Sequence, residues 1–326
     1  MPQFEFAILG AGAIGSILGA HLARAGHSVV MLVRERRARQ IDADGLRIKG
    51  LADFTQPVHT LTDPTQLRSA GTLIVAMKTN GTAAALEALR GARFDAAFSI
   101  QNGLLKNELL ARQFGPDKVL GALANTSGEL LPGGEVLFTR NVNLFIGSST
   151  KPADSRALSI ARHIDAAGVR SSAVPDIQSR EWSKFTAWAG FMMLSVTTRL
   201  PTAKYLLDSG SALVLARLVR ELGTLANACE IKLSDASLLP VATMCGGTEQ
   251  QAVEMVIEAG REFARIAPEH RMSSLQDLDA GRPLEVEATL GYAVRRAHEA
   301  GLHLPLLEAS YHLAASIDRN MEQPQP

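Results

Sequence analysis

Phe4-Glu5-Phe6-Ala7-Ile8-Leu9-Gly10-Ala11-Gly12-Ala13-Ile14-Gly15 reads as a short buried strand that runs into a glycine turn and then into a helix. Gly10, Gly12 and Gly15 make a G-x-G-x-x-G spacing, with Ala11, Ala13 and Ile14 completing the turn. That spacing lets a backbone come close to a pyrophosphate and aims a helix N-terminus at it. The residues that follow supply the context a lone glycine motif lacks. Residues 16–25 have helical spacing, with Ile14, Ile17, Leu18 and Leu22 on one side, and Gly26 is placed to end the helix. Residues 27–33 are apolar and β-branched, a second buried strand. A strand–glycine loop–helix–strand unit of about 30 residues is the setting of a dinucleotide site.

The end of the second strand discriminates between cofactors. A site built for NAD places Asp or Glu there to bind the ribose 2′-hydroxyl. This chain has Arg34, followed by Arg36, Arg37 and Arg39. A guanidinium pairs bidentately with a 2′-phosphate, which a carboxylate would repel. The reading is therefore NADP (NADPH), with Arg34 as the main contact; the plain alternative is a solvated basic helix start. If the strand persists, the side chain of Glu35 points away from that of Arg34.

Further strands are expected at 46–48, 72–77, 97–100 and 119–123, alternating with helices, and ligands in open α/β sheets sit beyond the carboxyl ends of the strands. Lys78 and Asn102 follow two of those ends. Lys78 also suits a surface cap, and Asn102 an Asn-Gly turn. Residues 135–138 and 142–146 look like a hairpin-type pair, 155–167 like a helix N-capped by Asp154, and 169–174 like a last strand before Pro175. Beyond Ile177 strand signals vanish. Helical spacing covers 179–196, 212–229, 249–265, 284–299 and 305–319, with Ala300-Gly301 as a C-cap. The expected architecture is an N-terminal Rossmann-type doubly wound α/β domain over 1–175 and an all-helical C-terminal domain over 176–326, ending in a frayed Gln-Pro tail at 323–326.

Composition narrows the function classes. The chain has 326 residues, 33 Lys plus Arg against 33 Asp plus Glu, and a pI near 7.1, which gives no basic surface for nucleic acid. Its two cysteines, Cys229 and Cys245, form no C-x-x-C pattern, which fits a reducing cytoplasm and neither a disulfide framework nor a zinc site. The apolar start lacks the positive residues of a signal peptide, and residues 185–196 are too few to span a bilayer. A cytoplasmic protein with no membrane and no nucleic-acid partner is expected. The long apolar helices, with the base rate of symmetric assemblies, point to a homodimer.

No His-Asp or His-Arg pair, Tyr-x-x-x-Lys arrangement or metal-ligand cluster stands out, and His21, His27 and His163 read as structural or exposed. A lysine is left as the acid for a carbonyl reduction, since an apolar setting or a second cation lowers its pKa towards neutrality. Lys184 sits early in an apolar helix, where a snorkelling helix-end lysine is the plain alternative. Gln276, Asp277, Arg282 and Glu285 crowd a helix entrance, where Pro283 and Glu285 also suit ordinary capping.

Six segments in this order resemble the ketopantoate reductase family over nearly the whole chain. They are GAGAIG at 10–15, Lys78, Gln101-Asn102-Gly103, Pro132-Gly133, Trp182-Ser183-Lys184, and SSLQDL at 273–278 running on to Glu285. The resemblance implies NADPH-dependent reduction of the 2-keto acid 2-dehydropantoate to (R)-pantoate, in pantothenate biosynthesis. It assigns the pyrophosphate to Gly10, Gly12 and Gly15, the 2′-phosphate to Arg34 and the cofactor ribose region to Lys78. Asn102 would meet cofactor and substrate, and Lys184 would act as general acid. Ser273 would bind the substrate carboxylate, and Glu285 its hydroxyl or the lysine network. Family members usually carry Asn four residues after the lysine and often again after eight; here Trp188 and Met192 stand there. Drifted core packing is one explanation, and a bulkier or less polar 2-keto acid or imine is the other. A non-catalytic NADP-binding sensor is the alternative from another class.

Overall fold

The computed structural model of the protein describes residues 3–321; the tail at 323–326 lies outside them. The chain divides into two compact units. One holds the residues up to Asn102 together with Lys106–Gln178; the other holds Gly103–Leu105 and the residues from Ser179 on.

The first unit contains β1 (Phe4–Leu9), α1 (Ala13–Arg24), β2 (Val29–Leu32), α2 (Glu35–Asp44), β3 (Leu46–Gly50), β4 (Phe54–Gln56) and β5 (His59–Leu61). It continues through β6 (Ser69–Val75), α3 (Thr82–Glu87), β7 (Arg93–Ser99), α4 (Leu105–Phe114), β8 (Gly121–Leu130), β9 (Val136–Gly147), α5 (Ser155–Ala166) and β10 (Ser171–Ala173). A parallel sheet runs in the order β5-β2-β1-β6-β7. Its central strands are apolar on both faces. Phe6 and Ile8 enter one core with Met31 and Phe98, while Ala7 and Leu9 enter the other with Leu73, Leu86 and Leu110.

A second sheet, β10-β9-β3-β4 with β8 also on β9, covers the first of these cores. Helix α1 is caught between the two sheets, contacting β2 on one side and β3, β8 and β9 on the other. Its residues from Gly15 to Leu22 are therefore all buried, where the sequence suggested a single apolar side.

The second sheet corrects two expectations. Residues 119–123 do not extend the parallel sheet: Val119 makes one bridge to Ala97, and the chain then leaves as β8. Residues 135–138 and 142–146 are not a hairpin but parts of one strand, β9; the hairpin is β8–β9, closed by Leu131 and Gly134. The strand expected at 46–48 forms as β3 and belongs to this second sheet, where it pairs with β9 and β4. Asp154 does cap α5, its carboxylate accepting from the Arg156 N–H at 2.9 Å.

The second unit is helical: α6 (Ile177–Thr198), α7 (Thr202–Leu207), α8 (Ser209–Ala228), α9 (Val241–Gly246), α10 (Glu249–Ile266), α11 (Ser273–Asp279), α12 (Leu290–Glu299) and α13 (Pro305–Met321). Residues of α6, α8, α12 and α13 share one apolar core, and α6 is buried all round from Phe191 to Val196. Helices α7, α9 and α11 are too short to show as periodic segments in the sequence. Helix α12 starts at Leu290, not near 284, because residues 286–289 form a turn; Ala300 ends it as expected. No helix among the described residues is long and apolar enough to cross a membrane.

Candidate active site

In the first unit the site is set by three strand ends: Gly10 after β1, 76–78 after β6, and Gln101-Asn102 after β7. Strand order reverses between β1 and β6, the switch point at which open α/β sheets bind ligands.

The three glycines of the motif have different reasons to be glycine. Gly10 has φ +103°, and a Cβ there would lie 2.8 Å from the Met77 amide nitrogen. At Gly15 a Cβ would run into the Gly10 carbonyl and lie 2.9 Å from the Ala76 Cβ, so this glycine lets α1 sit on the strand ends. Gly12 is unlike both. Its φ of −69° suits any residue, and a Cβ would meet only the Ala76 carbonyl at 3.9 Å. Among the described residues nothing crowds a side chain at 12, so the backbone there is open to close approach.

Helix α1 starts at that point with no side-chain cap and no acidic residue in its first turn. Uncapped N–H groups at a helix start suit an anion. The residues present fit a dinucleotide pyrophosphate.

Arg34 is exposed, as the N-cap residue of α2. Since β2 stops at Leu32 and Glu35 opens the helix, the strand does not persist and alternation does not set the Glu35 direction. Lys78 is exposed after β6, and Asn102 is half-buried after β7.

Gln101, which the sequence marked only as a member of the 101–103 segment, is buried and ties two of the strand ends together. Its Nε2 donates to the Met77 carbonyl at 2.9 Å and to Thr82 Oγ1 at 2.8 Å, and its Oε1 accepts from Ser99 Oγ at 3.0 Å. Gly103 has φ +84°, and its missing Cβ would lie 2.9 Å from the Ala288 carbonyl, so glycine at 103 answers a packing need. Among the described residues no group of three or more His, Cys, Asp or Glu could hold a metal ion.

In the second unit, Lys184, Trp188 and Met192 recur every four residues along α6 and so share one face. Trp188, Met192, Ser273, Ser274, Asp277, Leu284 and Glu285 line a pocket with about 220 Å³ of empty space, part of it open to solvent. The structure thus brings together five of the residues singled out in the sequence: Trp188, Met192, Ser273, Asp277 and Glu285. Lys184 is half-buried one turn before Trp188 and is not among the lining residues.

Two contacts set the pocket wall. Ser195 Oγ donates to the Met192 carbonyl at 2.8 Å and lies 3.0 Å from Ser274 Oγ, pinning α11 to α6. Buried Asp277 accepts from Arg282 Nε at 2.8 Å, and its carbonyl accepts from the Arg282 N–H at 2.8 Å. This pair fixes the turn that presents Glu285, whose own carbonyl accepts from Thr289 Oγ1 at 2.6 Å. Ser274 and Leu284 fall within the 273–285 segment but have no role assigned from the sequence. The partner that places Ser274, Ser195, is 79 residues away in the chain.

Residues 6–151 match the ketopantoate reductase PanE/ApbA family, and residues 176–318 match the family described as ketopantoate reductase PanE/ApbA C terminal. The chain belongs to the ketopantoate reductase family. It is an oxidoreductase of the class acting on CH–OH groups. A 2-dehydropantoate 2-reductase of Archaeoglobus fulgidus is 26% identical over 314 residues, covering 96% of this chain and 98% of that protein. A solved PanE/ApbA family ketopantoate reductase of Ralstonia eutropha JMP134 has a TM-score of 0.82 at 26% identity, over 98% of this chain and 99% of that one. A D-mandelate dehydrogenase solved with NADH and anilino(oxo)acetate has a TM-score of 0.83 at 15% identity, over 98% and 99% of the two chains, and shows the shared fold alone. The Rossmann-type unit and the helical unit of this family member are the two parts described above.

Proposed function

We propose that this chain is an NADPH-dependent reductase that converts 2-dehydropantoate to (R)-pantoate in pantothenate biosynthesis. The observation that carries the reading is the pocket of the helical unit. There a hydroxyl and a carboxylate, Ser273 and Glu285, line the same small pocket. A hydroxyl that can donate to a carboxylate, beside a carboxylate that can accept from a hydroxyl, suits a small polar acid.

Residues 10–15 would hold the pyrophosphate, Arg34 the 2′-phosphate, Lys78 the ribose region and Asn102 the nicotinamide side. The reduced nicotinamide, when bound, supplies the hydride for the keto carbon. Lys184 gives a proton from Nζ to the alkoxide oxygen that forms, and before transfer its positive charge stabilises the oxyanion. Ser273 donates to the substrate carboxylate, and Glu285 accepts from the substrate hydroxyl or orients the lysine. A cytoplasmic homodimer completes the proposal, and light scattering on the purified protein tests the dimer.

A second reading concerns the substrate. Trp188 and Met192 line the pocket as well as packing in the helical core, so apolar surface would face a ligand bound there, where family members usually have Asn. That arrangement supports a 2-keto acid with a less polar substituent. NADPH oxidation followed against 2-dehydropantoate and a panel of 2-keto acids separates these readings. Turnover with 2-dehydropantoate at an ordinary kcat/KM supports the first, and turnover elsewhere the second. Tight NADPH binding without turnover of any 2-keto acid overturns both in favour of a sensor.

A further inference from the structure

The sequence shows Arg34, Arg36, Arg37 and Arg39 as one basic cluster; the structure separates them. Arg34, Arg36 and Arg39 are exposed, whereas Arg37 turns inwards beside buried Ala38 and Ile41. Its guanidinium is spent on the chain itself. Nε donates to the Ala11 carbonyl at 3.2 Å and NH2 to Ser16 Oγ at 3.1 Å. NH1 donates to the Gly134 carbonyl at 3.0 Å and to Gln40 Oε1 at 3.4 Å. The Ser16 hydroxyl, fully buried, donates in turn to the same Ala11 carbonyl at 3.1 Å.

We propose that Arg37 is a positioning residue for the cofactor loop, holding residues 11–16 in their binding shape before any nucleotide arrives. The proposal rests on the reading of residues 10–15 as a dinucleotide site. The geometric reason lies in the peptide unit between Ala11 and Gly12. That unit is planar and trans, so its C=O and N–H point in opposite directions. With the Ala11 oxygen held by Arg37 and Ser16, the Gly12 N–H is turned the other way. Gly12 is the one glycine of the motif at which no described residue would crowd a Cβ.

The far end of the anchor is the β8–β9 turn. There Gly134 leaves room for the guanidinium, and Arg47 donates to the neighbouring Gly133 carbonyl. Burial and the nearby Arg47 charge lower the Arg37 pKa, but a guanidinium stays protonated at any pH the protein meets. With four of its five N–H donors committed, Arg37 is not the 2′-phosphate ligand; exposed Arg34 is left for that role.

This division of labour has a distinct signature, because the pyrophosphate is common to NADPH and NADH and the 2′-phosphate is not. Arg37→Gln is expected to raise the Kd of both nucleotides by a similar factor, about tenfold. The kcat for 2-dehydropantoate at saturating NADPH, and the KM for the keto acid, stay near wild type. Arg37→Lys, which keeps the charge and loses the fork, is expected to raise both Kd values as well. Arg34→Gln is expected to weaken NADPH alone.

Loss of NADPH binding with NADH binding unchanged in Arg37→Gln makes Arg37 a direct 2′-phosphate ligand and overturns the proposal. Wild-type Kd values in Arg37→Gln, or full recovery in Arg37→Lys, overturn it too. If Arg37→Gln does not fold, Ser16→Ala takes over, since it removes one corner of the same network. A joint rise of both Kd values then supports the proposal, and unchanged values refute it. A wild-type protein that binds neither nucleotide instead refutes the dinucleotide reading beneath.

Discussion

Adding one methyl group at each of the three motif glycines provides a matched test of the cofactor site. At Gly15 the new Cβ overlaps the Gly10 carbonyl and sits 2.9 Å from the Ala76 Cβ, so α1 must lift from the strand ends. At Gly10 it sits 2.8 Å from the Met77 nitrogen, on a backbone with φ +103°. Overpacking costs about 1–3 kcal/mol, and a sparsely populated backbone conformation a similar amount. For a unit of this size each kcal/mol lowers Tm by about 2–4 °C. Gly10→Ala and Gly15→Ala are therefore expected to lose roughly 5 °C or more without any ligand. At Gly12 the methyl reaches nothing closer than 3.9 Å. The entropy gain of a stiffer unfolded chain, ~0.4–1 kcal/mol, offsets the poorer N-cap that Ala makes. The ligand-free Gly12→Ala protein should melt within about 4 °C of wild type. Its NADPH Kd should rise about tenfold or more, because the methyl stands where the pyrophosphate must approach. Thermal unfolding and a fluorescence titration on the same three variants are sufficient. A Gly12→Ala protein that melts as low as Gly15→Ala, or binds NADPH like wild type, refutes the assignment of Gly12 to the ligand.

Lys184→Ala should lower kcat by ~10²-fold or more with NADPH affinity retained, the usual weight of a general acid; near-normal turnover sinks the role. Trp188→Asn should shift kcat/KM towards 2-dehydropantoate and away from 2-keto acids with apolar substituents, by about tenfold in the ratio; an unmoved ratio leaves Trp188 as packing. His21 carries a pH prediction. Its Nδ1 lies 2.9 Å from the Ala167 carbonyl, and its Nε2 is buried with no hydrogen-bond partner. Burial is the main cause of its lowered pKa, with Arg24 adding repulsion against the bond to Ala167. Between the unfolded and folded pKa values the unfolded state binds more protons. Stability from the neutral ring is thus complete above ~6.5 and falls as pH drops below it, at no more than about 1.4 kcal/mol per pH unit. Denaturant midpoints from pH 7.5 to 5 should fall more steeply for wild type than for His21→Gln, and parallel curves would show that His21 is not the group.

Residues 4–33 specify the strand, glycine turn, helix and second strand by local means: period, β-branching and the absence of side chains at three positions. The long helices of the second half were legible for the same reason, since a 3.6-residue period is written in neighbouring residues. The family resemblance rests on such short segments, which lie at strand ends, turns and helix faces. What the sequence left open depends on contacts between residues distant in the chain. Which sheet residues 119–123 and 46–48 join is decided by β9, whose twelve residues serve as the common partner. Arg34 and Arg37 are three residues apart and chemically identical. Bonds to Ala11, Ser16 and the Gly134 carbonyl, the last 97 residues beyond Arg37, make one of them an anchor and leave the other in solvent. Ser274 becomes part of the pocket wall because Ser195, 79 residues away, holds it there. Periodicity is a property of neighbours and can be read along the chain. The partner of a given hydrogen-bond donor is a property of the folded whole, and so is the face on which a polar group ends.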